Sequence, residues 1–303
     1  MTSTPRLVCL GNLTIDDVVL PDGTQKLECT GGDALYACLA ARFFEPASEM
    51  VAPVGWDWPQ AISRRIRAAG LSDLGLPLRD LKSLHNRIDY ESNGDRTWTL
   101  FNGEEAFHLL SPKPDDIPPA YRNADAFLVL AMTLQAQLDL VADLKRDTNA
   151  VVALDPQEDY IAGNEEILRG LIAQCDIFMP SAEEVRRILG HGDWSAAART
   201  FAELGPGIVV IKLGADGSLI HDRGTGRDIA VPALAVEAVD TTGAGDSFCG
   251  AFMATLLQDN CDLETAARAG SVAASFTIGG YGVDPLFEVS VTRVKQRLSD
   301  WRQ

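Results

Sequence analysis

The chain has 303 residues, 46% of them hydrophobic and 23% charged, with a formal net charge of −17. That composition suffices for one large α/β domain with an appendage and argues against wholesale disorder. The negative charge repels nucleic-acid backbones and anionic lipid surfaces, and no apolar stretch is long enough to span a bilayer, so the expectation is a cytoplasmic, soluble protein that binds neither.

In chain order, the apolar run at 7–10, stopped by Gly11, reads as a buried strand. Residues 18–29 read as extended segments around the turn Pro21-Asp22-Gly23, and 31–44 as a glycine turn opening a helix. A strand at 50–54 and a helix at 58–69 follow; the basic cluster at 63–70 reads as one solvated face of that helix. Residues 86–107 alternate, carry β-formers and contain Asn93-Gly94-Asp95, which predicts a hairpin. Strand-like runs then recur at 126–130, 151–154, 177–179 and 208–213, separated by helical stretches such as 134–146 and 182–189. That rhythm predicts parallel βαβ units and a sheet covered on both faces. A short antiparallel pair, GSLIHD with RDIAV, and helices at 246–257 and 263–277 complete the chain. The six scattered cysteines read as reduced thiols, and the four isolated histidines give no zinc pattern.

The most informative stretch is DTTGAGD at 240–246. A β-branched run reaches a polar turn, Gly243-Ala244-Gly245 lets a backbone come close to a ligand, and a helix begins. The orphan N–H groups of a helix start favour an anion, and a phosphoryl group in transfer needs such a cradle. A carboxylate at that mouth, Asp246, could accept the proton of an attacking hydroxyl. It could equally be a helix cap.

DTTGAGD followed by SFCGAF resembles the C-terminal signature of the PfkB/ribokinase family of sugar and nucleoside kinases, and the resemblance runs along nearly the whole chain. It implies a ribokinase-like three-layer α/β/α fold with a mostly parallel central sheet. It also implies a single kinase domain over 1–303 with a small β-sheet lid from segments near 17–30 and 86–108. By the same resemblance Asp246 is the base, and Gly243, Ala244 and Gly245 hold the phosphoryl group. GNLTID at 11–16 is similar to the family's opening motif, which makes Asp16 a ligand of substrate hydroxyls. Gly31-Gly32 resembles the diglycine turn against the substrate, with Asp33 adjacent, although Tyr36 stands where the family usually has Asn. Met179–Val185 is similar to the P-N-x-x-E segment, with Ser181 for Asn, and places Glu184 near Mg²⁺ through water; S-x-x-E is also a capping box. IKLGADGS at 211–218 resembles the nucleotide-binding turn and implicates Lys212, Gly214, Gly217 and Gly245 in ATP binding. Asp240 and Thr242 fall where relatives bind a monovalent cation such as K⁺.

The expectation is therefore an ATP- and Mg²⁺-dependent kinase phosphorylating a hydroxyl of a sugar or sugar acid. Arg96 in the lid would suit an acidic sugar. Ribokinase carries a sugar-binding glutamate after the strand matching 126–130, where this chain has Ala131-Met132-Thr133, which argues against ribose. The alternatives are a nucleoside kinase, favoured by the lid aromatics Tyr90 and Trp98, and a non-catalytic sugar- or nucleotide-binding regulator. Relatives that pair through their lids imply a homodimer.

Overall fold

The structure, a computed structural model, describes residues 4–91 and 96–301. Strand β1 (Leu7–Leu10) leads into an antiparallel pair, β2 (Thr14–Val19) and β3 (Gln25–Gly31), then through helix α1 (Asp33–Arg42) to β4 (Ser48–Val51). A two-stranded ribbon, β5 (Val54–Gly55) with β6 (Leu78–Arg79), brackets α2 (Gln60–Ala68). A further antiparallel pair, β7 (Leu84–Tyr90) and β8 (Arg96–Leu100), precedes α3 (Gly103–Leu110). From there strands and helices alternate: β9 (Ala126–Val129), α4 (Leu134–Asp147), β10 (Val151–Leu154), α5 (Glu165–Ile172), β11 (Ile177–Phe178), α6 (Ala182–Leu189), α7 (Trp194–Leu204) and β12 (Ile208–Lys212). The chain closes with β13 (Ser218–Asp222), β14 (Arg227–Val231), α8 (Ala244–Leu256), α9 (Leu263–Thr277), α10 (Asp284–Glu288) and α11 (Val291–Trp301).

Eight strands form the central sheet in the order β14-β13-β12-β11-β10-β9-β1-β4. Those from β12 to β4 run parallel, and β13 and β14 finish one edge antiparallel. The runs are apolar because both faces are covered. On β1, Leu7 and Cys9 enter the core under α1, α8 and α9, while Val8 and Leu10 enter the core under α4, α5, α6 and α7. Three layers result, as the alternation of strand and helix predicts. The helices on the first face approach closely through small residues: a Cβ on Gly250 would collide with the carbonyl of Ala37, and one on Gly270 with the Phe248 ring. The small-residue face of α9 thus serves helix packing.

A second sheet, in the order β3-β2-β7-β8, stands apart from the first. It is built from the two extended segments that the sequence singles out. The second of these differs from expectation at its end. The alternation predicts a hairpin as far as 107, yet the chain turns helical at Gly103, which has φ +78, with Glu104 and Glu105 in the first turn. The Asn102 side chain ties this junction down by accepting the His85 N–H at 2.7 Å. The expected turn at Asn93-Gly94-Asp95 lies outside the described residues, as does the side chain of Arg96.

The chain passes from β1 to β4 on one side and resumes at β9 on the other, so strand order reverses between β1 and β9. In open α/β sheets a ligand crevice forms outside the carboxyl ends of the strands at such a reversal. Asn12 after β1 and Ala131 after β9 line a cleft there, and the small sheet forms its opposite wall. Among the described residues no helix is long and apolar enough to cross a membrane.

Candidate functional site

The cleft has a volume of about 660 Å³ and gathers residues far apart in sequence. Asp16, Gly32, Asp33, Glu184, Lys212, Gly214, Thr242, Gly243, Gly245 and Asp246 all line it. A groove of about 790 Å³ between Leu234 and α11 contains none of them.

One wall is the start of α8. The helix begins two residues earlier than the sequence pattern suggests, with Gly243 at the N-cap in the left-handed region at φ +76 and no side-chain cap bond. Asp246 therefore sits third in the helix, facing the cleft, and does not occupy the cap position. The Tyr36 ring lies directly beneath Gly243, so a Cβ there would collide with it. This gives a physical reason for glycine in the turn and a structural place for Tyr36, which is fully buried. Ahead of the helix, Asp240 is buried and its Oδ1 accepts the Thr242 N–H at 2.9 Å, closing the turn; its Oδ2 has no hydrogen-bond partner.

Below this wall lies a buried ion pair. The Lys212 ammonium donates to both oxygens of Asp155, at 2.6 and 2.5 Å, and lies beside Gly245. Burial works against the lysine's charge, but Asp155, Cys249 and Glu184 outweigh it and raise its pKa. Glu184 makes the capping box that its spacing allows: its carboxylate accepts the Ser181 N–H at 2.5 Å, and its own N–H donates to Ser181 Oγ at 3.2 Å. It also faces the cleft, where burial first and the neighbouring Asp155 second push its carboxyl up to about 8. Gly214 and Gly217 shape the turn after β12, with φ +60 and +95. Gly214 lines the cleft, whereas Gly217 packs against the backbone of residues 231–233 and serves the turn.

The opposite wall is the small sheet. Asp16 on β2 pairs in register with Asn86 on the parallel neighbour β7, and Asn86 Nδ2 donates to Asp16 Oδ1 at 3.0 Å. Thr14 Oγ1 donates to the other oxygen at 3.0 Å. Burial, opposed by these hydrogen bonds, pushes the Asp16 carboxyl up to about 6. Gly31 lies behind Asp16, where a Cβ would strike its carboxylate, and Gly32, at φ +105, lets α1 start against Asn12. Asp33 Oδ1 accepts the N–H groups of Asn12 at 2.6 Å and Ala34 at 2.9 Å, while its Oδ2 is buried without a partner. Burial and then the charge of Asp246 hold its carboxyl well above the usual range. Above these acids Ile88, Trp98 and Phe107 form an apolar wall, with Trp98 edge-on to Phe107 at 5.5 Å.

Sequence reasoning missed Asp155 and Asn86. Asp155 carried a usable signal, being a carboxylate at the carboxyl end of a parallel strand, where sites of this architecture form. Asn86 carried none, because its role depends on which strand β2 pairs with.

A family model described as pfkB family carbohydrate kinase matches residues 82–288. The chain is 28% identical over 278 residues to the cytidine kinase of Thermococcus kodakarensis, covering 91% of this chain and 97% of that one. It is 27% identical to the deoxyribokinase of Salmonella typhi over 70% of this chain and 68% of that one. The Burkholderia thailandensis nucleoside kinase in complex with inosine superposes with a TM-score of 0.81 at 18% identity over 97% of each chain. The ribokinase of Giardia lamblia gives 0.80 at 21%, over 99% of this chain and 100% of that one. These two likenesses show a shared, ribokinase-like fold.

Proposed function

Because the chain belongs to the pfkB family of carbohydrate kinases, we propose that it transfers the γ-phosphoryl group of ATP to the hydroxymethyl group of a nucleoside. The observation that carries this reading is the pairing of two walls in one cleft. A helix start with Asp246 faces hydroxyl-binding acids roofed by Trp98, Phe107 and Ile88. A nucleobase has a π-face to stack on such a wall, which a bare sugar lacks. The 28% identity to a cytidine kinase over nearly both full lengths supports the same choice. The expectation of a sugar or sugar-acid acceptor thus gives way to the nucleoside alternative.

In this reading Asp16 and the unpartnered Oδ2 of Asp33 accept hydrogen bonds from the ribose hydroxyls. Asp246 accepts the proton of the attacking hydroxyl, and the amides of Gly243, Ala244 and Gly245 stabilise charge on the phosphoryl oxygens. Lys212, held beside Gly245 by Asp155, adds fixed positive charge beneath them. ATP lies along the Gly214 turn. The family implies Mg²⁺, and Glu184, a cleft-facing carboxylate, would hold such an ion through waters, with Asp155 beside it engaged by Lys212. When bound, Mg²⁺ neutralises phosphate charge. The buried, unpartnered Oδ2 of Asp240, near Thr242, suits a monovalent cation. The whole chain acts as one kinase domain, and the small sheet closes as a lid that excludes water and presents the surface for a homodimer.

The test is coupled ATP consumption across nucleosides, deoxysugars, ribose and sugar acids, with Mg²⁺ and with K⁺ or Na⁺. Turnover is expected on a nucleoside. Turnover confined to free sugars would overturn the acceptor assignment. Tight ligand binding without turnover on any acceptor would point to a regulator.

A further inference from the structure

β7 alternates, so Asn86, Ile88 and Tyr90 project from one face of a single strand. Each meets a different part of the cleft. Asn86 holds Asp16, and Ile88 lines the acceptor wall. Tyr90 reaches the segment that precedes α8. Its hydroxyl donates to Asp240 Oδ1 at 2.6 Å and lies 3.1 Å from Thr242 Oγ1 and 3.3 Å from Thr241 Oγ1. These are the three residues that lead into Gly243.

We propose that Tyr90 is a positioning residue that couples the seating of the acceptor against the small sheet to the assembly of the phosphoryl-binding turn. Asp240 Oδ1 accepts two hydrogen bonds, one from the small sheet through Tyr90 and one from the Thr242 N–H inside the turn. The carboxylate is 2% exposed, so water is a poor substitute for the phenol. With β7 in place the turn is braced from both sides. With β7 withdrawn Asp240 loses the Tyr90 donor, and its Oδ1 keeps only the Thr242 amide inside the turn. An acceptor that pulls Asn86 and Ile88 inward moves Tyr90 with them, because all three ride on one paired strand. Seating of the acceptor thereby steadies the phosphoryl cradle, which favours transfer to the acceptor over transfer to water.

This inference rests on the kinase reading, and Tyr90→Phe tests it separately. The parent enzyme is first assayed with its nucleoside, and the variant is compared for kcat, KM, melting temperature and ATP hydrolysis without acceptor. Loss of one hydrogen bond to a charged acceptor predicts a fall in kcat of about 10- to 100-fold. KM for the nucleoside should stay near the parent's, the melting temperature should fall by no more than about a few degrees, and the ratio of futile hydrolysis to transfer should rise. A merely structural strut would lower the melting temperature and leave both kcat and that ratio alone. If Tyr90 acts through Asp240, the Tyr90→Phe/Asp240→Asn double variant turns over no slower than Asp240→Asn. An active parent with an unchanged Tyr90→Phe variant, or with additive losses in the double variant, overturns the inference and leaves the kinase reading intact. A parent inactive on every acceptor removes both.

Discussion

The α8 wall of the cleft presents main-chain amides, those of Gly243, Ala244 and Gly245, whereas the small-sheet wall presents side chains drawn from several strands: Asp16, Asn86, Ile88 and Trp98. The first is fixed by backbone geometry, a left-handed N-cap resting on the Tyr36 ring. The second is fixed by strand pairing and can change one side chain at a time. Phosphoryl transfer makes the same demand whatever the acceptor, and an acceptor differs from one enzyme to the next. In the proposed reading the amide wall therefore belongs to the reaction and the side-chain wall to the substrate.

That division can be broken by experiment, and the largest effect is expected at Asp246. Asp246→Asn keeps the helix start and removes the proposed base. We expect turnover to fall about 10²- to 10⁴-fold with ATP binding retained, measured by a coupled assay and by calorimetry. Near-normal turnover would remove the base assignment. Next in size is Lys212→Met, which strands the buried Asp155 carboxylate. Removing one partner of a buried pair costs about 3–5 kcal/mol, so the denaturant midpoint should drop sharply. Replacing both partners, Lys212→Met with Asp155→Asn, should recover much of that stability while turnover stays low. Full activity in the double variant would show that Lys212 serves the fold alone.

On the opposite wall the effects should be smaller and should discriminate between ligands. Trp98→Ala removes a stacking surface worth about 1–3 kcal/mol per base. KM for the nucleoside should rise by about tenfold or more, while KM for ATP stays where it was. Equal changes in both would mean that Trp98 supports the sheet through Phe107 and does not read the acceptor.

The same division decides what could be read from the sequence. The α8 turn is local: Asp240 to Asp246 are consecutive, and glycine spacing before a helix announces an anion site. Strand and helix rhythm likewise gave the parallel sheet, because apolar runs of four residues have one use in such an alternation. The helix start itself was placed two residues late, since Ala244 and Gly245 read as turn until Gly243 is seen taking the left-handed cap. On the small sheet, Asp16 meets Asn86 only because β2 and β7 pair in parallel, and no local pattern encodes that pairing. Asp155 is visible as a polar residue ending an apolar run, but its partner Lys212 ends β12, two strands further along the sheet, so the ion pair is not. Helix α3 in the second extended segment is not legible, because the alternation and β-formers of 86–107 read as one hairpin around Asn93-Gly94-Asp95.

Asp16 offers the finest test, because there function and stability should move in opposite directions. Burial is the main influence on its carboxyl, and with Asp240's charge it outweighs the hydrogen bonds from Thr14 and Asn86 and pushes the group up to about 6. The folded chain therefore holds this proton more tightly than the unfolded chain does. The group's favourable contribution is complete below the ordinary carboxylate value near pH 4 and is lost as pH rises through about 6. At about pH 7.5 the ionised carboxylate is a cost to the fold, of the order of 1–3 kcal/mol. Asp16→Asn keeps the shape and still accepts from Asn86, so the variant should melt higher than the parent at neutral pH. The gap between the two should shrink as pH falls from about 6 to about 4, where the parent's carboxyl takes up its proton. Nucleoside binding should weaken in the same variant, because a neutral amide accepts hydrogen bonds from ribose hydroxyls less strongly than a carboxylate. A variant that melts lower at every pH would mean that the Asp16 charge is used by the fold. The acceptor wall would then be structural where it now reads as a stability penalty retained for binding.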